Sequence, residues 1–323
     1  MSVRERRQAT DRQADERARN NMRVLVIGAT GYLGSVITEI LLSRGHQVIA
    51  MVRSPRELPP GVAMRIADLG NVEAVSAAVG PDVDAVVHAA TPLGDWDLER
   101  RSVNAAIRAL GVPAKRLVYV SGVWVLGRST RADGTTRSHD EDSPVDPIAL
   151  VAGRESVEAD VLDGTVTGIV VRPGVLHGRG AGIPALMAGW AADQGHGLFV
   201  GDDDAVTWAC VHVEDAARLV ALAVEEGTPG QILHAVGEPA VSSSAIAAAA
   251  DRSVGGCGLA RRWDTQEAAV QLGSAFSEAL ALPQAVESRV SRGLGWLPAG
   301  PGIVEYLRTG SYRRIDAPAK SRR

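Results

Sequence analysis

Arg23-Val24-Leu25-Val26-Ile27-Gly28-Ala29-Thr30-Gly31-Tyr32-Leu33-Gly34 is the stretch that decides the fold. Val24 to Ile27 is apolar and rich in branched side chains, the pattern of a strand buried on both faces. Behind it, Val36-Ile37-Thr38-Glu39-Ile40-Leu41-Leu42 carries apolar residues at helical spacing. The glycines therefore occupy a strand-to-helix turn, where bare amides and a helix N-terminus favour a phosphate. Gly28 permits the tight turn, Gly31 lets backbone approach a diphosphate, and Gly34 lets the helix lie close to the strand. A glycine triplet alone is weak, since ordinary turns also use glycine. Between this strand and this helix it predicts a dinucleotide site, with Thr30, Tyr32 and Leu33 on the same turn.

The 323 residues are enough for one large α/β unit or two lobes. A net charge of −4 with 46% hydrophobic residues points to neither a nucleic-acid partner nor a membrane. No apolar run approaches the roughly 20 residues of a spanning helix, and no secretory pattern opens the chain. Cys210 and Cys257 have no metal spacing and read as reduced, buried small hydrophobes of a cytoplasmic protein. Lysine occurs only at 115 and 320, and arginine, alanine, glycine and valine dominate, a usage that fits a GC-rich bacterial genome.

Residues 1–21 are charged and nearly free of large apolar groups, so a disordered arm is expected there. Met22, immediately before the first strand, is an alternative start. Further strands are expected at 47–52, 63–67, 85–88, 117–120 and 168–171. Helices are expected at 36–42, 72–79 and through Val103, Ile107 and Leu110. Alternation with such short connections predicts a doubly wound parallel sheet, a Rossmann-type α/β fold. Beyond about residue 175 the order loosens. The expected division is a nucleotide-binding domain at 22–174 and a smaller, mainly substrate-binding lobe at 175–323, with elements returning to the sheet.

At seven places the chain resembles the extended short-chain dehydrogenase/reductase superfamily, the group of NAD-dependent epimerases and dehydratases. Gly28-Ala29-Thr30-Gly31-Tyr32-Leu33-Gly34 looks like its glycine motif, and Ala67-Asp68-Leu69 like its adenine-contacting segment. Val87-His88-Ala89-Ala90 is similar to its fourth-strand signature, and Tyr119-Val120-Ser121-Gly122 falls at its serine strand. Val171-Arg172-Pro173-Gly174, Val211-His212-Val213-Glu214-Asp215 and Leu294-Gly295-Trp296-Leu297-Pro298 complete the order. The resemblance implies that Gly28, Thr30, Gly31, Tyr32, Leu33, Gly34, Asp68, Leu69, Ala89, Ala90 and Ser121 contact a nicotinamide dinucleotide. It also implies a small-molecule substrate and pairing of two copies through the helices near 103–110 and 148–162.

The departures carry as much information. The superfamily uses a Tyr-x-x-x-Lys pair, and this chain has none: no lysine stands four residues after Tyr32, Tyr119, Tyr306 or Tyr312. Counting back from Glu158 places Leu150 and Arg154 at the two positions, and Gly122 stands where a hydroxyl is expected, with Ser121 one residue early. Ser121 to Gly127 is similar to a subgroup carrying Ser-Gly-x-Trp-Val-Leu-Gly.

Arg53, at the tip of the second strand, suits a 2′-phosphate where an acid would bind ribose hydroxyls, so NADP is expected, with NAD as the alternative. His177, past the sixth strand, is the candidate proton donor because an unperturbed imidazole titrates near neutrality. Arg154 and Ser121 complete the catalytic set. Trp124, His139 and Trp208 are assigned to the substrate pocket. His88 reads as structural, His139-Asp140-Glu141 as a solvated turn, and Asp215 as a first-turn acid complementing a helix dipole. No metal-ligand cluster and no Gly-x-Ser-x-Gly elbow occurs. Two functions stay open. One is an NADP-dependent oxidoreductase acting on a carbonyl or hydroxyl. The other is a non-redox lyase, isomerase or cyclase, or a nucleotide sensor, that keeps the fold without the Tyr-Lys pair.

Overall fold

A computed structural model describes residues 21–91, 94–129, 135–201 and 206–312. The expected disordered arm at 1–21 lies outside the described residues except for Asn21. In chain order the elements are β1 (Arg23–Ile27), α1 (Tyr32–Ser43), β2 (Gln47–Val52), β3 (Ala63–Ile66), α2 (Val72–Val79), β4 (Ala85–His88), α3 (Trp96–Leu110), β5 (Arg116–Val120), α4 (Arg154–Leu162) and β6 (Thr167–Pro173). They continue with β7 (Val175–His177), α5 (Ile183–Gln194), β8 (Gly197–Val200), β9 (Thr207–His212), α6 (Val213–Glu226), β10 (Gln231–Ala235), β11 (Glu238–Ser242), α7 (Ser243–Ser253), β12 (Ala260–Trp263), α8 (Thr265–Leu272), α9 (Ser274–Leu280), α10 (Arg289–Gly293) and α11 (Ile303–Thr309).

The chain divides into two compact units. The first comprises residues up to Ser121 together with Gly153–Val171 and Ala217–Leu233. Its seven-stranded sheet has the order β10-β6-β5-β4-β1-β2-β3. Pairs β1/β2, β2/β3, β1/β4, β4/β5 and β5/β6 are parallel. The order reverses at β1, so the turns after β1 and β4 open a crevice at the carboxyl edge. Every residue of β4 is buried, as is most of β1 and β5, which accounts for their unbroken apolar runs. Leu25, Ile27, Val86, Leu117 and Tyr119 pack with Val103 and Ile107 of α3 and Val157 and Val161 of α4. A bidentate pair from Arg44 to Glu225, with His46 Nε2 at 3.1 Å from the same carboxylate, ties the end of α1 to α6.

The second unit comprises Gly122–Ala152, Arg172–Ala216 and the chain from His234 onward. The division expected near residue 174 is thus crossed in both directions. Residues 122–152 belong to the second unit, whereas α6 from Ala217 onward and the start of β10 belong to the first, where β10 forms the sheet edge beside β6. The second unit holds a three-stranded sheet, β11-β9-β7, and a two-stranded one, β12-β8. Its core gathers Trp208, Phe199, Met187, Ile246 and Leu307. Cys210 is buried on β9, but Cys257 is exposed, because it follows Gly255-Gly256 in a loop with no apolar face to cover it. Among the described residues no helix is long and apolar enough to cross a membrane, and no group of His, Cys, Asp or Glu is placed to hold a metal ion.

Candidate active site

The turn between β1 and α1 is tight because its glycines cannot carry side chains. Gly28 has φ +87°, and a Cβ there would stand 2.7 Å from the Ala90 amide nitrogen and 2.8 Å from the Ala89 carbonyl. A Cβ on Gly34 would run into the Gly28 carbonyl. The backbones of the two turns therefore touch, and Ala89 and Ala90 are small for the same reason. Gly31 is the N-cap of α1, and that helix has neither a side-chain cap nor an acid in its first turn. Its first amides keep their capacity for an anion.

A groove of about 910 Å³ opens here. Of the expected cofactor residues, Gly28, Thr30, Gly31, Arg53, Asp68, Leu69, Ala89 and Ala90 line it. Leu33 and Gly34 are buried in the helix, and Tyr32 is partly buried at its start. None of these three lines the groove, because they hold the turn up from beneath. The sequence reading missed Arg56, Thr91 and Leu98, which also line it. Arg56 Nη1 donates to Thr30 Oγ1 at 3.0 Å. The signal for it was present in Val52-Arg53-Ser54-Pro55-Arg56, since a proline three residues after a strand brings the next arginine back beside the same edge. Arg53 and Arg56 are both exposed. Asp68 is committed in part to its own turn, accepting from the Gly70 amide at 2.8 Å. An uncapped helix terminus, a cradle that excludes Cβ atoms and two arginines fit the diphosphate and phosphate groups of a dinucleotide.

Behind Thr91 lies a buried polar group. Arg154, the first residue of α4, is 7% exposed. Its guanidinium carbon stands 4.7 Å from the Trp96 ring centre, and Nη2 donates to Thr91 Oγ1 at 3.2 Å. Its Nε is buried without a hydrogen bond. One turn along α3 from Trp96, fully buried Glu99 accepts from the Tyr119 hydroxyl at 2.7 Å. Burial raises the pKa of Glu99, opposed by the positive charge of Arg154 and the bond from Tyr119. Burial likewise drives the Tyr119 hydroxyl far upward. His88 Nε2 lies 3.2 Å from Ser102 Oγ, and burial followed by the Arg154 charge lowers the imidazole to about 4. It is neutral at pH 7, as expected of a structural histidine. Ser121, at the end of β5, is buried, and its hydroxyl has no partner. Leu150 falls in a 3-10 turn, Ala149–Val151.

The expected proton donor, His177, lies in the second unit. His177 ends β7 and is 1% exposed, packed edge-on to His212 at 5.3 Å and beside Tyr306 at 6.0 Å. Burial, then His212, lowers it to about 3, against a small opposing effect of Asp215. Enclosure by these rings disfavours the charged imidazolium. Trp208 is likewise interior, with its indole N–H donating to the Leu280 carbonyl at 3.1 Å. That satisfies its polar atom within the core. Trp124 is partly exposed in the 3-10 turn Val123–Leu126. His139 is partly buried, its backbone bonded to Ala285 and Glu287. The solvated turn expected at 139–141 is corrected at Glu141. This carboxylate is buried and accepts from the Arg289 and Val290 amides, both at 3.1 Å, at the start of α10. Asp215 is in the first turn of α6 as expected, and also accepts from the Ala299 and Gly300 amides at 2.9 and 2.8 Å.

Residues 24–235 match the NAD dependent epimerase/dehydratase family. The chain belongs to this family. Among curated relatives, a 3-diazoavenalumate denitrifying reductase from a Streptomyces species is 32% identical over 249 residues, covering 68% of this chain and 77% of that protein. The 2-alkyl-3-oxoalkanoate reductase of Stenotrophomonas maltophilia is 31% identical over 229 residues, 65% and 67% of the two chains. Among solved structures, human epimerase family protein SDR39U1 with NADPH superposes with a TM-score of 0.70 at 24% identity, covering 89% of this chain and 98% of that one. At that identity the likeness speaks for the fold.

Proposed function

We propose that this chain binds NADP(H) in the groove above the glycine turn and is a reductase-type oxidoreductase acting on a small-molecule carbonyl or hydroxyl. The observation that carries this reading is the pair Arg53 and Arg56 lining the groove, with no acid at the tip of β2. Two guanidinium groups suit the 2′-phosphate, and the resemblance implies that Asp68 lies on the adenine side. The reductase names of the bacterial relatives support the reaction class.

A bound nicotinamide would supply or accept hydride. The protein's part is to bind and orient. The uncapped start of α1 takes negative charge. Ser121, whose buried hydroxyl lacks a partner, is assigned to the substrate oxygen. Arg154 supplies a permanent positive charge and, having no neutral form to offer, moves no proton. Calorimetry with NADPH and NADH, followed by absorbance at the nicotinamide band with candidate carbonyl compounds, tests the reading. Comparable affinities for the two nucleotides would overturn the NADP assignment. The missing Tyr-Lys pair favours a second reading, a lyase, isomerase, cyclase or sensor using the same pocket. Tight nucleotide binding with no absorbance change during a verified conversion would establish that one instead.

A further inference from the structure

The seven-stranded sheet has a second groove, at its amino edge. It has a volume of about 370 Å³ and lies where β1, β2 and β3 begin. Arg23 opens β1 here, whereas Ile27, the last residue of that strand, lines the groove of the glycine turn. At about 3.3 Å per residue the two lie roughly 13 Å apart along the strand. Two guanidinium groups converge on one carboxylate oxygen in the wall of this second groove. Arg23 Nη1 and Arg65 Nη2 donate to Asp82 Oδ2 at 2.7 and 2.6 Å. A guanidinium carries five N–H donors. Arg23 gives two more, from Nε and Nη2, to Gln47 Oε1. Arg65 gives two more, from Nη1, to the Ala78 and Val79 carbonyls at the end of α2. Three of the five are spent on each arginine and two are left over on each. Among the described residues Asp82 is the one acid that lines the groove, so two positive charges face one negative. The neighbouring Asp84 accepts instead from the Arg23 amide, at 2.8 Å. His46 lines the same groove with its side chain 0% exposed. Its Nε2 faces Glu225 at 3.1 Å, and its Nδ1 is buried with no hydrogen bond. A buried polar atom without a partner is costly, and a ligand can supply the partner.

We propose that the amino-edge groove is a second ligand site, for a small oxyanion of the phosphate type. The uncommitted N–H groups of Arg23 and Arg65 take its oxygens in charge-assisted hydrogen bonds, while Asp82 holds the two guanidinium groups side by side. The site stands at the opposite edge of the sheet from the glycine turn, so it is independent of the nucleotide reading above.

Inorganic phosphate is the probe, titrated into the full chain by calorimetry at constant ionic strength with chloride as the balancing anion. Binding should be saturable. Arg23→Gln and Arg65→Gln should each weaken it about tenfold, the effect of one charge-assisted bond. Asp82→Asn removes the competing carboxylate and should strengthen it severalfold. Arg65 also closes the end of α2, so melting temperature is recorded alongside. Should Arg65→Gln fail to fold, Arg23→Gln carries the comparison, because its donors go to side chains alone. The phosphate must also be located, since the glycine turn offers anion donors of its own. The imidazole C–H resonance of His46, assigned with His46→Gln, should shift on titration, and Arg53→Ala should leave the affinity unchanged. Absence of saturable binding, parent-like affinity in Arg23→Gln, or weaker binding in Asp82→Asn would each overturn the proposal. So would loss of binding in Arg53→Ala with the His46 resonance unmoved, which would put the phosphate at the glycine turn.

Discussion

Replacing the glycines of the first turn one at a time should separate folding from binding. Gly34 has no space: an added Cβ would overlap the Gly28 carbonyl oxygen and stand 2.8 Å from its carbon. Both are backbone atoms, so relief requires moving α1 away from β1. Overpacking of this kind costs about 3 kcal/mol, and at roughly 3 °C per kcal/mol for a chain of this size Gly34→Ala should melt about 9 °C lower. Gly31 differs. Its φ of −78° suits any residue, and an added Cβ meets only the Gly28 oxygen, at 3.3 Å. Loss of a favourable N-cap costs about 1 kcal/mol, so Gly31→Val should remain folded. Its side chain would nevertheless stand over the helix amides and keep a diphosphate from them. Two charge-assisted bonds lost there amount to about 3 kcal/mol or more, a weakening of at least ~100-fold. Differential scanning calorimetry and NADPH titration of the same preparations read both effects. Parent-like NADPH affinity in folded Gly31→Val would show that the turn is merely structural, and the groove would lose its assignment.

Arg53→Ala and Arg56→Ala should each weaken NADPH about tenfold to a hundredfold while changing NADH little, a contrast that competition titrations would read. His88 has a folded pKa of about 4 against 6.5 unfolded. Its contribution, about 3 kcal/mol, is complete above pH 6.5 and is lost as pH falls toward 4. Melting temperatures should drop across that window, and a flat profile from pH 7 to 4.5 would contradict the burial of a neutral imidazole. His177→Asn should lower stability by about 2 kcal/mol, from a buried aromatic cluster, and leave kcat and its pH profile unchanged. A large loss of turnover in well-folded His177→Asn would return the proton-donor role to it. Two copies pairing through α3 and α4 would cover the Arg100–Asp160 pair. Light scattering should give a dimer mass, and a monomer at micromolar concentration refutes that pairing.

The six strands expected before residue 175 appear within two residues of their expected ends; five are interior runs whose continuous apolar character writes their boundaries, whereas β3 is an exposed edge strand. The glycine turn was legible for a similar reason, since close approach of backbone leaves one residue type. What was not legible depended on partners far along the chain. His177 carries the residue type of an acid-base group, and only the ring contacts with His212 and Tyr306 reveal that it is interior. Glu141 sits in a polar run, and the amides that bury it belong to residues some 150 positions later. Arg154 is a cation expected near the site from its position in the sequence, but its stacking on Trp96 depends on how α3 and α4 lie together.

The second unit's Gly122–Ala152 segment takes its hydrogen bonds from the far end of the chain. Gln284 Nε2 donates to the Val123 and Gly127 carbonyls, Ser129 and His139 bond to Ala285, and Glu141 receives the amides of α10. On a ribosome adding about 5–20 residues per second, those partners arrive roughly 8–30 s after the segment itself. During that interval Glu141 is a hydrated carboxylate, and the Val123 and Gly127 carbonyls lack their Gln284 donor. A chain paused near residue 280 would therefore hold these carbonyls and the Glu141 carboxylate without their native donors.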